Sequence, residues 1–171
     1  MLSSRWSRAA AVGVLAGVTA TGPLGQPARA TAPDSLVTLR QAARPTMFLT
    51  STAEGDQAYA KAEAPDHTAQ RWLLRPDGNG AYTIRDPSGS SCLATNSTED
   101  YSWVALMACD SAQYSHRLWK LVREGTGFLI ADAGGTSARF DTLSNESDQI
   151  ILWLYGNYPD DQIWLPVFEP R

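Results

Sequence analysis

The chain is poor in what most catalytic and nucleic-acid-binding proteins are rich in. Lys and Arg total 14 of 171 residues against 18 Asp and Glu, for a net charge of −4. A basic stripe for a phosphate backbone is therefore missing. Cysteine is scarce too, with only Cys92 and Cys109. They form no C-x-x-C pair, and His67 and His116 add no metal-ligand spacing, so no metal site is expected. Patterns for a nucleophile elbow (G-x-S-x-G), a zinc protease (H-E-x-x-H) or a phosphate loop are absent, and no catalytic residue or cofactor is expected. Asp160-Asp161 is adjacent in sequence and reads as a polar turn. The longest apolar run, Ala9–Ala20, falls short of the ~20 residues needed to span a bilayer, so no membrane insertion is expected.

That run has another meaning. Arg5 and Arg8 precede it. Gly22, Pro23, Gly25 and Pro27 break it, and Ala28-Arg29-Ala30 follows as an A-x-A site. This predicts a secretory signal peptide over 1–30 and a mature, extracellular chain over 31–171. Loss of Arg5, Arg8 and Arg29 takes the mature charge to −7. In an exported chain, two cysteines predict one disulfide, Cys92–Cys109. Asn96-Ser97-Thr98 and Asn145-Glu146-Ser147 are glycosylation sequons.

What the chain does have is aromatics, six Trp, six Tyr and four Phe, and a period. Trp72, Trp119 and Trp164 are separated by 47 and 45 residues. Val37-Thr38-Leu39-Arg40, Tyr82-Thr83-Ile84-Arg85 and Phe128-Leu129-Ile130-Ala131 recur at spacings of 45 and 46. The first two alternate apolar and polar as half-buried strands do, and the third is a short apolar run. Turn residues follow each: Ala43-Arg44-Pro45, Pro87-Ser88-Gly89 and Ala133-Gly134-Gly135. Further strands are expected at Ser91–Thr95, Val104–Ala108, Ala138–Thr142 and Ile150–Leu154. No mature segment sustains helical periodicity. Three units of about 45 residues nearly fill the mature chain. The fold class expected is all-β, with three four-stranded repeats at about 35–78, 79–124 and 125–171 sharing one core. One Trp per unit supplies that core.

On these residues the sequence resembles the ricin-type β-trefoil lectins, also called family 13 carbohydrate-binding modules. Gln70-Arg71-Trp72 and Gln162-Ile163-Trp164 match the family's Gln-x-Trp, while Arg117-Leu118-Trp119 departs at its first position. The middle repeat carries Cys92-Leu93, Val104-x-Leu106-x-x-Cys109 and Trp119, similar to the family's pattern with an intra-repeat disulfide. Gln149-Ile150-Ile151-Leu152-Trp153 followed by Asp161-Gln162-Ile163-Trp164-Leu165-Pro166-Val167-Phe168 resembles the last repeat of the plant galactose-binding toxin chains.

The resemblance implies a sugar site in that repeat. A saccharide offers vicinal hydroxyls on one face and C–H groups on the other, so a site needs a fixed carboxylate or amide and an aromatic ring. Asp141 stands at the carboxylate position, Trp153 at the aromatic position and Gln162 at the glutamine of Gln-x-Trp. Asp161 replaces the usual asparagine, which exchanges a donor and acceptor for an acceptor and sets two carboxylates in one pocket. In the middle repeat the same positions read Ala94, Met107 and His116-Arg117. In the first they read Phe48-Leu49-Thr50 with no carboxylate, Tyr59 as aromatic, and Ala69 before Gln70. Both are expected to be lost as galactose sites. Trp103, with Tyr101 nearby, has no assigned role.

The implied function is a secreted, non-enzymatic lectin with one galactose-type site and a glycan as partner. Two alternatives stay open: the cell-binding subunit of a multi-chain toxin or enzyme, whose active partner is a separate chain, and a trefoil that has lost sugar binding and acts as a protein ligand or inhibitor.

Overall fold

A computed structural model describes residues 34–143, 148–154 and 159–170. The leader expected over 1–30 lies outside the described residues, as does the sequon Asn145-Glu146-Ser147.

Twelve strands are present among the described residues. They are β1 (Ser35–Gln41), β2 (Met47–Thr50), β3 (Tyr59–Ala62), β4 (Arg71–Pro76), β5 (Tyr82–Arg85), β6 (Ser91–Ala94), β7 (Ala105–Ala108), β8 (Trp119–Glu124), β9 (Gly127–Asp132), β10 (Arg139–Leu143), β11 (Gln149–Trp153) and β12 (Ile163–Phe168). Every landmark strand expected from the period is there, with bounds displaced by two residues at most. Among the described residues helix is confined to a 3-10 turn at Thr68–Gln70 and the single turn α1 (Pro159–Gln162).

All pairings are antiparallel, and they close. β1 pairs with β4, β4 with β5, β5 with β8, β8 with β9, β9 with β12, and β12 with β1. The first and fourth strands of each unit thus make a six-stranded barrel with no free edge. The remaining strands form three hairpins, β2–β3, β6–β7 and β10–β11. The molecule is a β-trefoil.

The hairpins meet on a pseudo-threefold axis. Ala58 N donates to Val104 O (2.8 Å), Val104 N to Ile150 O (3.2 Å), and Ile150 N to Ala58 O (2.8 Å). These residues stand 46 apart and all are buried. On either side the pairing repeats as Gln57 with Ala105, Trp103 with Ile151, and Gln149 with Tyr59.

Trp72, Trp119 and Trp164 are fully buried in the shared core, as the period predicts. Trp72 Nε1 donates to Leu49 O at 3.0 Å and Trp119 Nε1 to Leu93 O at 2.9 Å, so each indole ties the fourth strand of its repeat to the second. Phe140 packs edge-on against Trp119 with centroids 4.6 Å apart. The fold permits no side chain at Gly127, where a β-carbon would come within 2.7 Å of Trp164 O. Cys92 and Cys109 are joined, bridging β6 to the residue after β7.

Truncating Trp119 to Ala is expected to destabilise the protein by about 3–5 kcal/mol through lost burial and the cavity left behind. Replacing both cysteines by Ser opens a loop with a sequence separation of 17 and is expected to cost about 3 kcal/mol. Urea unfolding followed by tryptophan fluorescence measures both.

Candidate functional site

The last repeat brings the expected residues together. Asp141 lies in the middle of β10, opposite Ile151 of β11. Trp153, the last residue of β11, is opposite Arg139. Directly opposed residues share a face and residues two apart along a strand return to it. Asp141 and Trp153 are therefore diagonal neighbours on the face turned away from the Phe140–Leu152 core pair. Asp161 and Gln162 come from α1, which packs over β10 and leads into β12.

Asp141 is only 8% exposed. Its Oδ1 accepts from the Thr142 amide at 2.6 Å and its Oδ2 from Gln162 Nε2 at 2.8 Å. Each oxygen keeps a lone pair for a ligand hydroxyl. Burial raises the Asp141 pKa, the two hydrogen bonds oppose that rise, and the charge of Asp161 adds to it. Gln162 is fully buried, and its Oε1 has no partner among the described residues. Trp153 is half-buried, and the Tyr101 ring of the middle repeat meets it edge-on with centroids 4.9 Å apart.

The bond from Gln162 to Asp141 has a counterpart one repeat away. Gln70 Nε2 donates to Thr50 Oγ1 at 3.1 Å and to Ala62 O at 2.8 Å, while Gln70 Oε1 accepts from Ala64 N at 2.9 Å. Thr50 faces Tyr59 as Asp141 faces Ile151, and these pairs are equivalent about the axis. The glutamine of Gln-x-Trp thus anchors one register position of the second strand, and where that position carries a carboxylate it also orients it. In the middle repeat Arg117 takes the position and donates to Ser111 O at 3.0 Å.

Register also shows what the other repeats lack. Ala94, opposite Ala105, is the equivalent of Asp141, and Met107, opposite Cys92, that of Trp153. In the first repeat the equivalent of Trp153 is Lys61, opposite Phe48, and not Tyr59. Tyr59 lies one pleat position inward, at the level of Ile151. The Lys61 ammonium sits 4.7 Å from the Tyr59 ring centroid.

Three supporting groups escape the sequence pattern. Gln41 is the inward-facing polar residue that ends the run Val37, Leu39, Gln41 on β1. It is fully buried, and its Nε2 donates to Thr142 Oγ1 (2.6 Å) and to Asp161 O (2.8 Å). It therefore holds β10 and α1 together behind Asp141. Arg44 donates to Gln41 Oε1 at 2.7 Å and pairs with Asp148. Tyr101 is the third, through its contact with Trp153. A polar residue in the inward phase of a strand was the one sequence signal available for Gln41.

No protein-family model matches the sequence, and neither does any curated protein. Solved structures do match. The Rhizoctonia solani agglutinin superposes with a TM-score of 0.66 at 20% identity, over 83% of this chain and 100% of the agglutinin. A mosquitocidal holotoxin matches with a TM-score of 0.65 at 20% identity, over 81% of this chain and 17% of the toxin. 1,3Gal43A, an exo-β-1,3-galactanase from Clostridium thermocellum, matches with a TM-score of 0.67 at 17% identity, over 82% of this chain and 31% of the enzyme. The chain thus spans a whole agglutinin but only a minor part of the toxin and the enzyme. At these identities the likeness is one of fold, and by that measure the chain is a β-trefoil of the architecture on which lectins such as the agglutinin are built.

Proposed function

We propose that this chain is a secreted, non-enzymatic carbohydrate-binding protein with one galactose-type site in its last repeat. The observation that carries the reading is the buried, pre-oriented Asp141 carboxylate on the strand face it shares with Trp153. Asp141 accepts hydrogen bonds from two vicinal hydroxyls of the sugar. The indole of Trp153, braced by Tyr101, stacks on the opposite C–H face. Gln162 fixes the carboxylate from behind, and Asp161 raises the energy of its ionised form. The agglutinin among the structural neighbours supports the lectin reading. Secretion rests on the leader pattern, and a disulfide suits an oxidising compartment.

A second reading is favoured by the match to the mosquitocidal holotoxin: the trefoil serves as the cell-binding part of a toxin assembled with another chain. Affinity capture from culture medium separates the two readings, since a stable second chain supports the toxin.

Galactose or lactose titrated by calorimetry is expected to bind with a millimolar Kd, about −4 kcal/mol, as a single shallow site does. Asp141→Ala abolishes this binding, and Trp153→Ala weakens it at least about ten-fold, a loss of ~1.4 kcal/mol. Absence of binding by wild type at tens of millimolar removes these sugars as ligands.

The ionised form of Asp141 is the one that accepts hydroxyls, and its pKa is raised. Affinity is therefore full at neutral pH and falls on acidification, starting at a higher pH than a free aspartate at about 3.9 would give. Asp161→Asn removes one cause of the rise and moves the acid limb to lower pH. Calorimetric titrations across a pH series measure the displacement, and identical limbs in the two proteins contradict the role given to Asp161.

A further inference from the structure

Trp103 takes no part in the site just described, although its indole is 64% exposed. The fold does not ask for an indole there. Trp103 pairs with Ile151 as Gln57 pairs with Ala105 and Gln149 with Tyr59, so two of three equivalent positions make the same bridge with glutamine. Tyr101 is exposed as well and lines the same cleft, so two large aromatic surfaces stand together in water, and a contiguous exposed patch is a signal for a ligand.

The surroundings of Trp103 supply the rest of a site. It lines a cleft of about 400 Å³ together with Gln57, Asn96, Tyr101, Ser102 and Tyr114. That volume lies within the range of small-molecule sites. Gln57 Nε2 is shielded from solvent and has no hydrogen-bond partner among the described residues. Gln57 lines the cleft, so a turn of its side chain brings that unpaired donor to a ligand oxygen. Tyr101 holds a left-handed backbone at φ 61°, disfavoured for a residue with a β-carbon, and its amide donates to Leu152 O at 2.9 Å. None of the lining residues is an Asp, Glu, Lys or Arg among the described residues. Ala94, Met107 and His116, which stand where the middle repeat would carry its own copy of the Asp141 site, do not line the cleft.

We propose that this cleft, between the first and middle repeats, is a second saccharide site that takes a neutral pyranose oligosaccharide. Trp103 is the stacking platform for the C–H face of a pyranose ring. The amides of Gln57 and Asn96 both donate and accept, as sugar hydroxyls do, and Ser102 and Tyr114 add hydroxyls to the wall. The ligand is neutral because the cleft offers no counter-charge to an acidic or amino sugar. Binding without hydrolysis follows from the lack of a carboxylate pair. Tyr101 belongs to this cleft and also touches Trp153, so the two sites adjoin. The proposal stands on Trp103 and Gln57 and does not require the Asp141 site to be active.

The test uses the chain made in a host that does not glycosylate, because Asn96 opens the Asn96-Ser97-Thr98 sequon. Wild type, Trp103→Ala, Gln57→Leu and Asp141→Ala are titrated with β-linked gluco-, xylo- and galacto-oligosaccharides, with indole N–H resonances followed by NMR. Trp103→Ala removes an exposed side chain and identifies the Trp103 resonance. The expected result is that one series shifts that resonance, that Asp141→Ala still binds it, and that Trp103→Ala and Gln57→Leu weaken it at least about ten-fold. Wild type binding none of these series, or Trp103→Ala binding as wild type does, overturns the proposal. Galactose bound through Asp141 with no effect of Trp103→Ala on any series leaves the first site standing and removes this one. Trp103-dependent binding without any galactose binding does the reverse.

Discussion

Three backbone hydrogen bonds around one axis govern the rest of this molecule. Ala58, Val104 and Ile150 each donate to the next and accept from the last, closing a ring that no single repeat can make. Each hairpin offers an edge, and each edge is satisfied by its neighbour, which is the requirement a sheet protein must meet to stay soluble and specific. The ring fixes register for everything beside it. Once the three central residues are set, the positions before and after them in each repeat are equivalent by construction.

That equivalence turns the protein into its own control experiment. Thr50, Ala94 and Asp141 occupy one position, and Lys61, Met107 and Trp153 another. The backbone environment is the same in each, so the fold does not choose among them. A carboxylate with an aromatic diagonal neighbour occurs in one repeat of the three. Gln70 and Gln162 illustrate the opposite case. Both donate to the side chain at the same register position of the second strand, Thr50 in one repeat and Asp141 in the other. The first duty of the glutamine is structural, and orienting a carboxylate is what that same bond does when the acceptor is Asp141.

The fold was legible in the chain because its core residue is large, easily recognised and recurs at a fixed period. A Trp every 45 to 47 residues marks the repeat directly, and short alternating runs mark the strands between. The site was legible only in part. Asp141, Trp153 and Gln162 sit at fixed offsets from the last Trp motif and could be read. Tyr59 lies two residues short of Lys61, the true equivalent of Trp153, because the hairpin loops differ in length. The step from the second-strand position to its opposite number runs from Thr50 to Tyr59, from Ala94 to Ala105 and from Asp141 to Ile151, and these intervals are unequal. Counting along the chain cannot supply that correction. The partners of Gln41 could not be read for a different reason: Thr142 and Asp161 lie 101 and 120 residues away, and only closure of the barrel brings them together.

Asp161 is where the sequence departs from the lectin pattern, and its contacts say which kind of departure this is. Gln41 bonds the main-chain oxygen of Asp161, which any residue in α1 would provide. The position of α1 over β10 therefore does not depend on the side chain. Its charge does reach Asp141, adding to the effect of burial and working against the bonds from Gln162 and Thr142. An asparagine at 161 would leave the backbone contact intact and relieve the electrostatic one. The substitution consequently acts on the ionisation of the carboxylate and leaves its placement to Gln162, Thr142 and Gln41, which keeps the geometry of the candidate site while changing the conditions under which it is charged.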